Sequence, residues 1–146
     1  MEGIPTYEQI PALGLYLDQT QYILEQALRP LTGDGEGCIT GTMITNYVKQ
    51  KVIPPTCKKR YNREQIAQLM VALLLKRVLS AQEICRVLCE LEELHDPAKA
   101  YDGFFQALER EFRGEPPASD CPPLTRAAVR ALVGKLQFER LAAGER

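Results

Sequence analysis

The stretch from Asn62 to Leu75, NREQIAQLMVALLL, limits what this chain can become more than any other. Ile66, Leu69, Met70, Leu73 and Leu74 recur at helical spacing, and Val71, Ala72 and Leu75 fill the remaining sides. A helix that is apolar nearly all round has no face to give to water, so it belongs at the centre of a core. Asn62, with Gln65 three residues later, supplies an N-cap and its capping-box partner. Everything else must wrap this helix. No segment alternates apolar and polar residues over a useful length, so the wrapping elements are helices too. Val52-Ile53 and the run to Tyr61 allow at most a short ribbon.

The flanking signals agree. Asp18 and Gln21 read as a cap pair opening a helix with the stripe Leu17, Ile23, Leu24, Ala27, Leu28 and Leu31, limited by Pro30. Thr40 caps a helix to about Lys51, with Ile44, Tyr47 and Val48 on its inner side. Ser80 and Glu83 form a capping box before Ile84, Val87, Leu88, Leu91 and Leu94. Asp96 caps the next helix with Pro97 at its first position, and Tyr101, Phe104, Phe105, Leu108 and Phe112 face inward. A last helix runs from about Leu124 to Leu141, striped by Leu124, Ala128, Leu132, Leu136 and Leu141. The expected fold is all-α, with five or six helices in two packed layers.

Ile4-Pro5 and Ile10-Pro11 keep the N-terminal stretch extended, and their isoleucines can dock on the core as a strap. Thr32 to Gly37, with three glycines, reads as a loop; it lacks the lysine and hydroxyl of a phosphate-binding loop. Residues 1–113 are expected to form one helical domain. Residues 114–146 are a Pro-rich linker and a helix that packs on the same domain or on a partner.

The chemistry of an enzyme is not visible. His95 is the lone histidine and has no evident nucleophile beside it. Tyr16 reads as a core anchor, Asp18 as a cap, and Glu90, Glu92 and Glu93 as a solvated acidic turn. The five cysteines are an odd number with no paired CxxC, so neither a disulfide framework nor zinc is expected. Cys85 and Cys89 share a helix face and read as small core residues. No cofactor is implied. The longest apolar run, Leu69 to Leu75, is too short for a bilayer, and MEGIPTYEQ has no basic-then-apolar leader. The expected location is the cytoplasm.

Charge is where the sequence becomes specific. The net charge is -1, yet no acidic residue stands between Glu36 and Glu64. That window and its edge hold Lys49, Lys51, Lys58, Lys59, Arg60 and Arg63. The polar face of the Thr40 helix carries Thr42, Thr45, Asn46, Lys49 and Gln50 without a carboxylate. Such a face suits an anionic partner. Asn pairs with adenine, Thr with a thymine methyl or phosphate, and Lys with guanine or phosphate. Lys51, Lys58, Lys59, Arg60 and Arg63 would lie along the phosphate backbone of double-stranded DNA. Two alternatives stand beside this reading. The basic arm can pair with the chain's own acids, such as Glu90, Glu92 and Glu93. It can also dock an acidic protein, making the chain a non-enzymatic interaction module.

Residues Thr40 to Leu88 resemble MerR-type winged helix-turn-helix regulators. The resemblance is carried by Asn46-Tyr47, Val52-Ile53-Pro54-Pro55, Lys59-Arg60-Tyr61, Asn62 to Gln65 and Ser80 to Glu83. It implies a recognition helix over Thr40 to Lys51, a basic wing over Val52 to Tyr61, and a helix-turn-helix core at 40–95 with a C-terminal helical extension. Lys51 stands where those regulators end the recognition helix with glycine. More of the chain is similar to a small bacterial family, a domain of unknown function with a helix-turn-helix. Leu15-Tyr16-Leu17-Asp18-Gln19, Met43 to Lys49 and Lys58-Lys59-Arg60-Tyr61 carry that similarity. The function implied is transcriptional regulation, with a homodimer expected because paired half-sites add affinity.

Overall fold

The computed structural model describes residues 3–33 and 39–144. Residues 34–37 of the expected glycine-rich loop, and Cys38, lie outside the described residues. Among the described residues there are six α-helices and no strand.

The central helix, α3 (Arg63–Leu75), starts as its sequence requires. The Asn62 side chain accepts the Gln65 N–H at 2.8 Å, and Gln65 Oε1 accepts the Asn62 N–H at 2.9 Å. Every residue from Leu69 to Leu75 is buried. Helices α1 (Leu17–Thr32), α4 (Ala81–Glu92), α5 (Pro97–Phe112) and α6 (Pro123–Ala142) all contact it, and α2 (Gly41–Lys49) packs on α1. The apolar-all-round helix is thus the hub, and four helices share the burial that its sequence demands. Among the described residues, no helix is long and apolar enough to cross a membrane.

The caps at Thr40, Ser80 and Asp96 form as the sequence predicts. They accept the N–H of Met43, Glu83 and Lys99 at 3.1, 3.2 and 3.1 Å. The start of α1 is different. Leu15 exchanges two backbone hydrogen bonds with Tyr61 (2.9 and 2.7 Å), which holds the chain extended as far as Tyr16. Tyr16 is therefore the N-cap residue, with its N–H on Gln19 Oε1 at 3.0 Å. Asp18 sits inside the first turn, and Gln21 donates to the Ile39 carbonyl at 3.0 Å. Pro30 also lies within α1, near its end and exposed, and the helix continues to a Gly33 N–H bonded to the Arg29 carbonyl.

The N-terminal strap docks as expected. Ile10 is buried, Ile4 packs against the core, and three side chains fasten the segment. Tyr101 Oη donates to the Pro5 carbonyl (2.8 Å), Asp102 accepts the Tyr7 N–H (2.9 Å), and Arg63 Nε donates to the Ile10 carbonyl (2.8 Å).

Helix α6 lies on α5, α4 and α3. Pro122, at its N-cap position, offers no side-chain cap. Glu90 of α4 does this work from a distance. Its carboxylate accepts the N–H groups of Leu124 and Thr125 (2.9 and 2.7 Å) and the Thr125 hydroxyl (2.7 Å). Glu90 is therefore a half-buried cap and not part of a solvated turn, whereas Glu92 and Glu93 are exposed. Two further expectations are corrected: Leu141 points to solvent at 70% exposure, and Cys89 is exposed while Cys85 is half-buried. Cys89 lies off the buried row of Ile84, Val87, Leu88 and Leu91.

Candidate nucleic-acid interface

The acid-free stretch is built on two fixed ends. At the first, α2 stops at Lys49 because Lys51 turns left-handed, with φ +61°. The Val52 N–H reaches the Tyr47 carbonyl (2.9 Å), and the Lys51 N–H reaches the Val48 carbonyl (3.1 Å). This pair of bonds is a Schellman closure, with lysine where glycine is usual. Val52 and Ile53 then bury their side chains, which pins the exit from the helix. At the second end, Gln65 Nε2 donates to the carbonyls of Pro54 (3.0 Å) and Pro55 (2.9 Å). Gln65 is only 5% exposed, so the Pro-Pro turn is tied to the start of α3 by a buried amide.

Between Pro55 and Tyr61 the chain makes a tight turn. The Arg60 N–H bonds the Cys57 carbonyl at 3.0 Å, and Lys58 and Lys59 occupy the two central positions with φ +52° and +62°. Two successive left-handed residues characterise the type I′ hairpin turn, which favours Asn-Gly. The Leu15–Tyr61 pairing closes the base of the turn.

Arg60 lies on Tyr16. Its Nη2 donates to the Tyr16 hydroxyl (3.0 Å), and its guanidinium carbon is 4.9 Å from the ring centroid. Tyr16 is thus no core anchor: it is 48% exposed and supports a cation at the surface. Gly14 makes room for this arrangement. A Cβ there would stand 3.0 Å from Arg60 Cβ and 3.2 Å from its Cδ.

Thr42, Asn46, Lys49 and Gln50 are exposed on α2, away from buried Ile44 and Tyr47, and Thr45 is half-buried. The Thr45 hydroxyl is spent on the Thr42 carbonyl (3.2 Å). Lys51, Lys58, Lys59 and Arg60 are all exposed. Among the described residues, Lys49, Lys51, Lys58 and Lys59 make no ion pair. The alternative pairing with Glu90, Glu92 or Glu93 does not form among the described residues, and Glu90 is committed to α6. Arg63 stands apart from the other cations. Besides Ile10, it bonds the Glu8 carboxylate at 3.4 Å and lies 5.5 Å from the Tyr7 ring centre. Its guanidinium holds the strap.

Behind the exposed cations sit the rings of Tyr47 and Tyr61, and burial pushes both phenols above their ordinary value of 10.0. Sequence reading finds the cations but misses Gly14, Tyr16 and the amide of Gln65. Tyr16 and Arg60 are 44 residues apart, and nothing local in either signals the contact. Gln65 is legible as a capping residue only.

The elements described define a class: an all-helical protein whose described residues form six helices, one of them an apolar hub for four others, and display an exposed, acid-free basic turn. The sequence matches the family described as Domain of unknown function (DUF1836) over residues 5–104, and the chain belongs to that family. The match runs from the strap into α5 and leaves α6 outside it. Neither curated proteins nor solved structures give a match.

Proposed function

We propose that this protein binds double-stranded DNA as a transcriptional regulator. In this reading α2 is the recognition helix and the Cys57–Arg60 turn is a short wing, in the manner of MerR-type regulators. The observation that carries it is a set of exposed cations without acidic partners among the described residues, on backbone pinned at both ends. A solvated protein surface ordinarily mixes both signs of charge. Thr42, Asn46 and Lys49 would read base edges or phosphates, and Lys51, Lys58, Lys59 and Arg60 would contact phosphates. Lys51, which departs from those regulators' glycine, still takes a left-handed φ there. A second copy would double the contact through paired half-sites.

The test is binding of the full chain to fragments of its own genomic DNA across a salt series. Four phosphate contacts per copy predict a log–log salt slope of about -3.6, at roughly 0.9 per phosphate. A preferred fragment would establish a regulator. A folded protein that binds no fragment at low salt overturns the reading and leaves the acidic-protein partner as the use of this face.

A further inference from the structure

A second site lies in the cleft where α3, α4 and α5 meet. It encloses about 280 Å³, near the lower end of the roughly 300–1,000 Å³ usual for small-molecule sites. Three helices each contribute one row to it. The α3 row is Glu64, Ala67, Gln68 and Val71, at the spacing of a single helix face. The end of α4 adds Leu88, Leu91 and Glu92, and the start of α5 adds Ala100 and Tyr101. The walls are therefore apolar. The Tyr101 ring presents carbon there, because its hydroxyl is bonded to the Pro5 carbonyl.

Three carboxylates, Glu64, Glu92 and Asp96, line this cleft together with one imidazole, His95, and no lysine or arginine does. Glu64 and Glu92 are exposed at its mouth. The C-terminal end of α4, which carries partial negative charge, closes one side. The opposing positive end of α5 is met by its own cap, Asp96 on the Lys99 N–H. The field extends beyond the cleft: burial, with Glu64 adding to it against Arg63, pushes the Tyr7 phenol up. Gln68 Nε2 donates to Glu92 Oε1 (3.4 Å) at the edge of the cleft.

We propose that this cleft binds a small organic cation, an amine with a compact apolar body. The body would fill the space between Val71, Leu91 and Ala100. The ammonium would lie between Glu64 and Glu92, whose carboxylates pair with no lysine or arginine among the described residues. A neutral ligand would leave the carboxylates without a counter-charge, and an anion would be repelled. The site uses none of the cations of the basic turn, so it stands whether or not that turn binds DNA.

The test is amide-resolved NMR titration of the full chain with benzylamine, benzyl alcohol and benzoate. Benzylamine is expected to shift amides over residues 64–71, 88–96 and 97–101, and to bind at least tenfold tighter than benzyl alcohol, with benzoate weakest. Glu64→Gln with Glu92→Gln should weaken benzylamine about tenfold and leave benzyl alcohol unchanged. Val71→Phe, which fills the cleft, should abolish both. If that variant does not fold, the carboxamide pair alone decides. Equal binding of the three probes, shifts scattered over the acidic surface, or no shift with benzylamine would each overturn the proposal. So would an amine affinity that the carboxamide pair leaves intact.

Discussion

Replacing Lys58-Lys59 with Asn-Gly should make the protein more stable and a poorer binder of DNA. Both lysines sit at left-handed φ, +52° and +62°. For a residue with a side chain this conformation costs about 1–2 kcal/mol, less for asparagine and nothing for glycine. Lys59→Gly recovers roughly 1–2 kcal/mol and returns about 0.5–1 to the greater freedom of the unfolded chain. Lys58→Asn adds about 0.5 kcal/mol. The net gain is therefore about 1–1.5 kcal/mol, or roughly 2–6 °C in Tm for a chain of this size. The same change removes two of the four cations assigned to phosphate, so the salt slope should fall by about 1.8. Thermal unfolding by circular dichroism reads the first effect, and fluorescence anisotropy of labelled DNA across a salt series reads the second. Lys58→Arg with Lys59→Arg, which keeps both the charge and the backbone conformation, should match wild type in both. An Asn-Gly variant no more stable than wild type would refute the argument from backbone strain. A more stable variant with an unaltered salt slope would refute the assignment of these lysines to phosphate.

Gly14→Val should place a branched side chain against Arg60, whose Cβ is already 3.0 Å from where a Cβ would stand. A loss of about 1–3 kcal/mol in urea unfolding, with weaker DNA binding, is expected; unchanged stability would mean that the turn moves freely. Glu90→Gln should loosen the start of α6, because one carboxylate serves the Leu124 and Thr125 N–H groups. Hydrogen exchange at those amides should rise, with a global loss of about 1–2 kcal/mol. Stability should also fall in alkali, because burial and Asp102 hold the Tyr101 phenol above its ordinary value of 10.0. Between that value and the raised one the unfolded chain binds fewer protons than the native chain. The stabilisation is thus complete below about pH 10 and lost as pH rises through the native pKa, by up to about 1.4 kcal/mol per pH unit. Tyr101→Phe should flatten this decline; a urea midpoint with the same alkaline slope in both proteins would count against it.

What the sequence makes legible is what short-range physics decides. The caps at Thr40, Asn62, Ser80 and Asp96 depend on a side chain and an amide three residues away, and all four form. The hub helix is legible because its composition leaves no polar face. The start of α1 is not, because a pairing with Tyr61, far along the chain, keeps Leu15 and Tyr16 extended past the point where local signals place the cap. Glu90 is misread for the same reason: its partners lie 34 and 35 residues away.

At the candidate interface the division is sharper. The cations and the missing acids are plain in the sequence, but lysine carries no signal for left-handed backbone, so the conformations of Lys51, Lys58 and Lys59 cannot be read from it. Local preference and the fold disagree at these three positions, and glycine or asparagine would satisfy the same backbone with less strain. Such disagreement persists only where the surrounding structure over-determines the backbone. Here the Schellman bonds fix Lys51, and the Gln65 amide and the Leu15–Tyr61 pairing fix the two flanks of the Lys58-Lys59 turn. A backbone held that firmly would accept glycine, yet each position carries an ammonium group directed into solvent. Stability does not favour that choice; in the DNA-binding reading proposed above, these ammonium groups are held out for phosphate.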